Sequence, residues 1–209
     1  MAHVVLLGDS IFDNAAYVRG GPDVARQLQD RLPTGSRASL LAVDGAVARG
    51  VARQLERMPA DVTHLVVSVG GNDALGASGV LREGVRSVAE AVTRLAAIGE
   101  EFARSYAAML DEVLARGLPT AVCTVYDANY PEPEGRIIVT ALAVFNDAIT
   151  RTAFARRLPL IDLRLICDEP GGYANPIEPS VQGGAKIADA IAQAVSLDAW
   201  GIRSVVIAR

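Results

Sequence analysis

Short aliphatic runs alternate with longer stretches in which apolar residues recur at helical spacing, and the alternation continues along nearly the whole chain. This pattern is the signature of repeated strand–helix–strand units around a parallel sheet. The runs at residues 3–7, 37–43, 64–69, 120–125 and 160–163 predict strands. Each is short and aliphatic, as expected for strands that helices cover on both faces. Helical spacing fills residues 23–31, 47–57, a long helix or a pair of helices within 80–116, then 136–157 and 182–195. Gly117-Leu118-Pro119 and Leu158-Pro159 end helices just before strands, where glycine and proline act as terminators. The expected architecture is an α/β fold of three α/β/α layers, with a doubly wound parallel five-stranded sheet in the order 2-1-3-4-5. One domain over residues 1–209 is expected, with its core in 3–195 and an extension at 196–209. Residues 202–208 read as one more strand, which this scheme does not place; an edge strand and a dimer contact both stay open.

Composition narrows the function classes. Hydrophobic residues make up 51% and charged residues 21% of the 209, a globular balance sufficient for one sizeable core. The net charge of −4 argues against a nucleic-acid partner, which needs a basic face to neutralise phosphates. Lys186 is the single lysine among 20 basic residues, a compositional bias toward arginine. Cys123 and Cys167 each lie in or just after an apolar run, which suits buried reduced thiols better than a disulfide framework. The opening MAHVVLLGDS lacks the basic flank and cleavage site of a secretory signal, and no stretch reaches the ~20 apolar residues of a membrane span. A cytoplasmic protein without a membrane partner is expected; oligomeric state is left open.

In doubly wound sheets the functional crevice lies at the carboxyl ends of the strands, near the point where strand order reverses. Three polar segments follow the first three predicted strands and converge on that edge: Gly8-Asp9-Ser10, Asp44-Gly45 and Gly70-Gly71-Asn72-Asp73. Singly, each has a plain reading. Ser10 suits a nucleophile or a helix cap. Asp44-Gly45 suits an ordinary turn or a backbone N–H aimed at an oxyanion. The third segment suits a polar loop, or an amide of Asn72 aimed at the same point. Together they supply what acyl transfer requires, a hydroxyl and anion-stabilising donors around one carbon.

These blocks resemble those of the SGNH (GDSL-type) hydrolase superfamily: GDS after the first strand, a glycine after the second and GGND after the third. The final block is similar in position to Asn175-Pro-Ile-Glu-Pro-Ser-Val-Gln-Gly-Gly, just before the last main helix, so the resemblance spans Val4 to about Val195. It implies Ser10 as nucleophile, with the Ser10 N–H, the Gly45 N–H and the Asn72 side chain as oxyanion hole. It further implies hydrolysis of esters, thioesters or acetylated sugars with no metal and no organic cofactor.

The last block departs from the family's Asp-x-x-His. Asn175 and Glu178 stand where the orienting Asp and the basic His are expected. The two histidines, His3 and His64, start the first and third strands, at the end of the sheet away from the site. Two readings of Glu178 follow. In one, its carboxylate replaces imidazole as proton acceptor for Ser10. Asn175 then supplies an amide to orient it, since a second carboxylate would repel it. The difficulty is basicity: free Glu titrates near 4.3 and His near 6.5, a deficit of several-fold to a hundredfold in rate unless burial raises the Glu178 pKa. In the other reading, hydrolysis is lost and the cleft binds an acyl or sugar ligand. The retained Ser10, Gly45 and Asn72 favour a hydrolase of small carboxylic esters or thioesters. A flavodoxin-like nucleotide binder is the weakest alternative, because no phosphate-binding loop follows the first strand.

Lesser signals complete the expectation. Asp13 and Asn14 suit helix capping, and Asp73 suits loop bracing. Residues 127–130 are placed to shape the pocket, while 131–135 (PEPEG) read as a mobile surface loop or lid. Asn146 suits a structural hydrogen bond, Ser180 a cap and Lys186 a solvated charge.

Overall fold

The computed structural model describes residues 1–197 and 204–208. The described residues build a parallel sheet in the order β2-β1-β3-β4-β5-β8. Its strands are β1 (His3–Gly8), β2 (Arg37–Leu40), β3 (His64–Ser68), β4 (Thr120–Cys123), β5 (Leu160–Ile161) and β8 (Val206–Ile207). The first five follow the predicted doubly wound order. The sixth corrects the expected count: β8 extends the sheet in parallel beside β5, pairing Leu160 with Val206 and Ile161 with Ile207. This is the edge-strand alternative left open for residues 202–208. Positions 202 and 203 of the expected tail strand lie outside the described residues.

Alternation along the strands divides the core between two faces. Val4, Leu6, Val66, Cys123 and Ile161 point to one side, against α1 (Val24–Arg31) and α7 (Val181–Val195), with α6 (Leu163–Ile166) beside them. Val5, Leu7, Leu65, Val67, Val122 and Leu160 point to the other. There they meet α2 (Val51–Leu55), α4 (Val88–Leu114) and α5 (Glu134–Ala155). Val4 to Leu7 are all 0% exposed, which is why β1 reads as a continuous apolar run.

The helices start where polar caps permit. Asp23 accepts from Arg26 N–H at 2.7 Å, and Ser87 from Glu90 N–H at 3.1 Å. The stretch 80–116 holds one long helix, α4, as expected, with a 3₁₀ helix ahead of it. It begins in 3₁₀ geometry at Ser78–Arg82, and α4 starts only after the Ser87 cap. An α-helix that sequence reading missed, α3 (Gly71–Ala77), runs directly into that 3₁₀ turn. The 22 residues of α5 are long and apolar enough to cross a membrane by length and composition. Here Leu142, Phe145, Ala148 and Ile149 are buried against the sheet, the pattern of a core helix.

Three predicted strands end two or three residues early. Past Leu40 the N–H groups of both Leu41 and Ala42 reach Leu6 O, so the pairing bulges. Beyond β4, Val125 is held on both backbone atoms by the Asn146 amide, at 2.8 Å each. After β5, Asp162 caps α6. A hairpin of β6 (Tyr173–Asn175) and antiparallel β7 (Glu178–Pro179) precedes α7.

Candidate active site

The carboxyl ends of β1 and β3 and the β6–β7 hairpin meet at one cavity. The nucleophile turn depends on Gly8: its φ is +128°, and a Cβ there would lie 1.7 Å from Ser68 O. Gln54, buried in α2, holds the same residue with both amide atoms, accepting from Gly8 N–H at 2.8 Å and donating to Gly8 O at 2.7 Å. The chain therefore leaves the sheet in a fixed direction. Asp9 and Ser10 follow, both nearly inaccessible.

Ser10 donates its hydroxyl to Glu178 Oε1 at 2.9 Å. Glu178 is 5% exposed, and its second oxygen, Oε2, is buried without a hydrogen-bond partner. Burial pushes the Glu178 carboxyl up to about 7; the Ser10 hydrogen bond pulls the other way, and the charge of Asp44 adds to the rise. Several backbone contacts place this glutamate. Asn14 donates to Pro179 O at 3.2 Å while accepting from Val24 N–H, so it caps α1 and ties the nucleophile loop to β7. Tyr126 donates to Ile177 O, and Asn129 N–H to Pro176 O.

Asn175 does not have the expected part. Its Oδ1 accepts from Ile177 N–H at 2.9 Å, bracing the hairpin turn, and its amide leaves Glu178 Oε2 without a donor. The turn offers a backbone N–H two residues on, and an Asn side chain takes that local partner more readily than one across the hairpin.

The Gly45 turn sits at the exposed rim, with φ +78°. It is bonded on both sides. Asp44 N–H donates to Asp13 Oδ2 at 3.0 Å, and Asn72 Nδ2 donates to Ala46 O at 3.1 Å. Asp73 accepts from Ala48 N–H at 3.0 Å, the bracing role expected of it. Asn72 lies in the first turn of α3 and lines the cavity with one amide hydrogen still available. Among the described residues, the N–H groups of Ser10 and Gly45 have no protein acceptor. The Gly45 turn is thereby tied to Asn72 and to Asp13; Ser10 and Asn72 line the cavity, and Gly45 is not among its lining residues.

Asp9 is a residue the sequence reading passed over. Its carboxyl accepts from Ile11 N–H at 3.2 Å and borders the same cavity. Burial, and then the nearby Glu178 charge, push it up to about 7 against the pull of its backbone donors. Its place one residue beyond a fully buried strand was the available signal. Ala128 and Tyr130 border the cavity, as expected of 127–130, and Tyr126 joins them, while the Asp127 carbonyl accepts from Tyr173. Pro133 and Glu134 of the PEPEG segment also line the cavity, and α5 begins within it. Ser180 caps α7 as expected, but Lys186 is not simply solvated: it pairs with Glu169 at 3.1 Å and Asp168 at 3.6 Å. His3 bonds Ser39 and Asp61 at the opposite end of the sheet, and both cysteines are buried thiols.

Comparison with solved structures shows the same fold. A lipolytic G-D-S-L family protein from Veillonella parvula aligns with TM-score 0.70 and 13% identity, covering 94% of this chain and 100% of that one. Phospholipase A1 from Streptomyces albidoflavus aligns with TM-score 0.67 and 16% identity, covering 92% and 99%. An aryl esterase from M. smegmatis aligns with TM-score 0.66 and 12% identity, covering 93% and 98%. Curated proteins give no significant sequence match. The model of the GDSL-like lipase/acylhydrolase family matches residues 6–185, and with the sheet order and the placement of Ser10 already described, the chain belongs to that family of ester hydrolases.

Proposed function

We propose that the protein hydrolyses carboxylic esters or thioesters of small molecules through a Ser10 acyl-enzyme, with Glu178 as the base in place of histidine. The hydrogen bond from Ser10 Oγ to Glu178 Oε1, at 2.9 Å, is the observation that carries this reading. As Oγ attacks the substrate carbonyl carbon, its proton passes to Glu178. The resulting oxyanion is met by the Ser10 and Gly45 N–H groups and the second amide hydrogen of Asn72. Glu178 then returns the proton to the departing alkoxide or thiolate, leaving the acyl group on Ser10. Water attacks the acyl-enzyme, gives its proton to Glu178, and the carboxylic acid leaves as Ser10 regains its hydrogen. None of these steps calls on a metal or organic cofactor.

Burial supports the choice of base. A carboxyl raised to about 7 is close in strength to imidazole, so the Brønsted disadvantage of glutamate largely disappears. The test is hydrolysis of p-nitrophenyl butyrate by wild type, Ser10→Ala and Glu178→Gln, with folding checked by circular dichroism. Both variants are expected to fall at least ~100-fold in kcat. Equal rates in all three would end the proposal and leave the inherited cleft as a ligand-binding site.

A further inference from the structure

We infer that the acyl half of the substrate is an unbranched alkyl chain of on the order of ten carbons, held in an apolar arm of the cavity between α3, α4 and α5. The inference rests on the hydrolase reading for the word acyl; the arm itself is a matter of geometry. The cavity has a volume of about 510 Å³, and its polar groups are unevenly placed. Asp9, Ser10, Asn72 and Glu178 cluster at one end. Away from them the walls are Leu95 and Ile98 of α4 and Ile138, Ala141, Leu142 and Phe145 of α5. The arm opens at an apolar rim, where Leu75 is 47%, Leu81 38% and Ile137 52% exposed. Of the other polar lining residues, Ser78, Arg82 and Glu134 are exposed, Ser68 ends β3 opposite Gly8, Tyr126 gives its hydroxyl to Ile177 O, and Tyr130 is half-buried.

Such walls select by omission. Among Leu95, Ile98, Ile138, Ala141, Leu142 and Phe145 a sugar hydroxyl would lose its water partners and find no hydrogen-bonding side chain, a cost that an alkyl chain does not bear. An acetyl group would leave most of the space unfilled. At about 30 Å³ for a group the size of water, and a methylene is similar, 510 Å³ exceeds what a short acyl group needs. The leaving group has a separate side. It must take a proton from Glu178, whose exposed polar neighbours are Asp44 and the Tyr17 hydroxyl bonded to it at 2.7 Å. A polar alcohol faces that rim while the alkyl chain runs the other way.

Three measurements test this. The first compares p-nitrophenyl esters from acetate to palmitate with acetate esters of long alcohols. kcat/KM is expected to rise about fourfold per methylene over the first several carbons, the value of ~0.8 kcal/mol per buried CH₂. The second narrows the arm with Ala141→Trp or, independently, Ala77→Phe, both lining positions outside the catalytic machinery. Each is expected to shorten the preferred chain by several carbons while leaving acetate hydrolysis within about twofold. The third titrates Ser10→Ala with a fluorescent long-chain fatty acid, with competition by fatty acids of graded length, and needs no turnover. Tight chain-length-dependent binding without hydrolysis of any ester would keep the arm and remove the hydrolase reading. Fastest hydrolysis of acetate with no fatty-acid binding would remove the arm and keep the hydrolase. Preference for long alcohols over long acyl groups, or no change of chain preference in either narrowed variant, would also overturn the inference.

Discussion

Glu178 works as a base only in its ionised form, and that fixes the shape of its pH dependence. Below its titration the proton is already in place and Ser10 has no acceptor. The reaction should therefore rise with pH along an acid limb centred near 7 and level off above it. Asp9 is raised into the same range, so the limb belongs to the pair and not to one carboxyl alone. Replacing Asp44 by Asn removes a negative neighbour that helps keep Glu178 protonated. The limb should then move to lower pH by a few tenths of a unit, read from kcat/KM profiles. An unmoved limb would mean that Asp44 does not act on the base. Asn175→Ala, by contrast, is expected to change kcat by less than about threefold, because its side chain serves the hairpin turn. The price in stability should be about 0.5–1.5 kcal/mol, measured by chemical denaturation.

Two elements lean on side-chain amides at their ends. Gln54 reaches from α2 to both backbone groups of Gly8, and Asn146 reaches from α5 to both backbone groups of Val125. In each case a strand leaves the sheet beside the cavity; the amides satisfy the Gly8 N–H and both Val125 groups, while Gly8 O also accepts from Val43 N–H at 3.0 Å. Gln54→Leu keeps the volume but leaves the Gly8 N–H buried without an acceptor. A loss of about 1–3 kcal/mol is expected in urea unfolding. Activity should fall as well, since Ser10 lies two residues beyond the clamp. A stable variant with undiminished kcat would show that Gly8 holds its direction unaided.

The whole molecule should carry the mark of the two raised carboxyls in its stability. Asp9 and Glu178 titrate near 7 when folded and at ordinary carboxylate values when unfolded. Between about pH 4 and 7 the folded state therefore holds more protons than the unfolded one, so these groups lower stability as pH rises, and their full cost is present above 7. Asp9→Asn cannot ionise and retains an acceptor for Ile11 N–H. Its Tm should match wild type near pH 4 and exceed it at pH 8, by the equivalent of about 1–3 kcal/mol. A difference that stays constant across this range would place the Asp9 charge outside the stability balance. The same comparison separates stability from function, because the gain should come with an altered acid limb of activity.

The layered fold was legible because it follows from local periodicity. Fully buried strands such as β1 read as aliphatic runs, amphipathic helices read at their own spacing, and glycine and proline mark the ends. Ser10, Gly45 and Asn72 follow successive strands, whose ends share one edge in a doubly wound sheet, whereas Glu178 was singled out by the resemblance of its block to the family's last one. Short or locally ambiguous elements were less legible: α3 was hidden in a glycine-rich segment, and β8 read as a strand but acquires its place only by pairing with β5. Nor could sequence choose between partners for Asn175, because a turn N–H and a carboxylate compete for the same side chain and only the chain's path decides. Sequence thus determined the layers and the order of the first five strands, consequences of patterns within a few residues. Tertiary structure decided how deeply Glu178 and Asp9 are buried and which walls α4 and α5 give the cavity. Desolvation and enclosure depend on atoms contributed from distant parts of the chain.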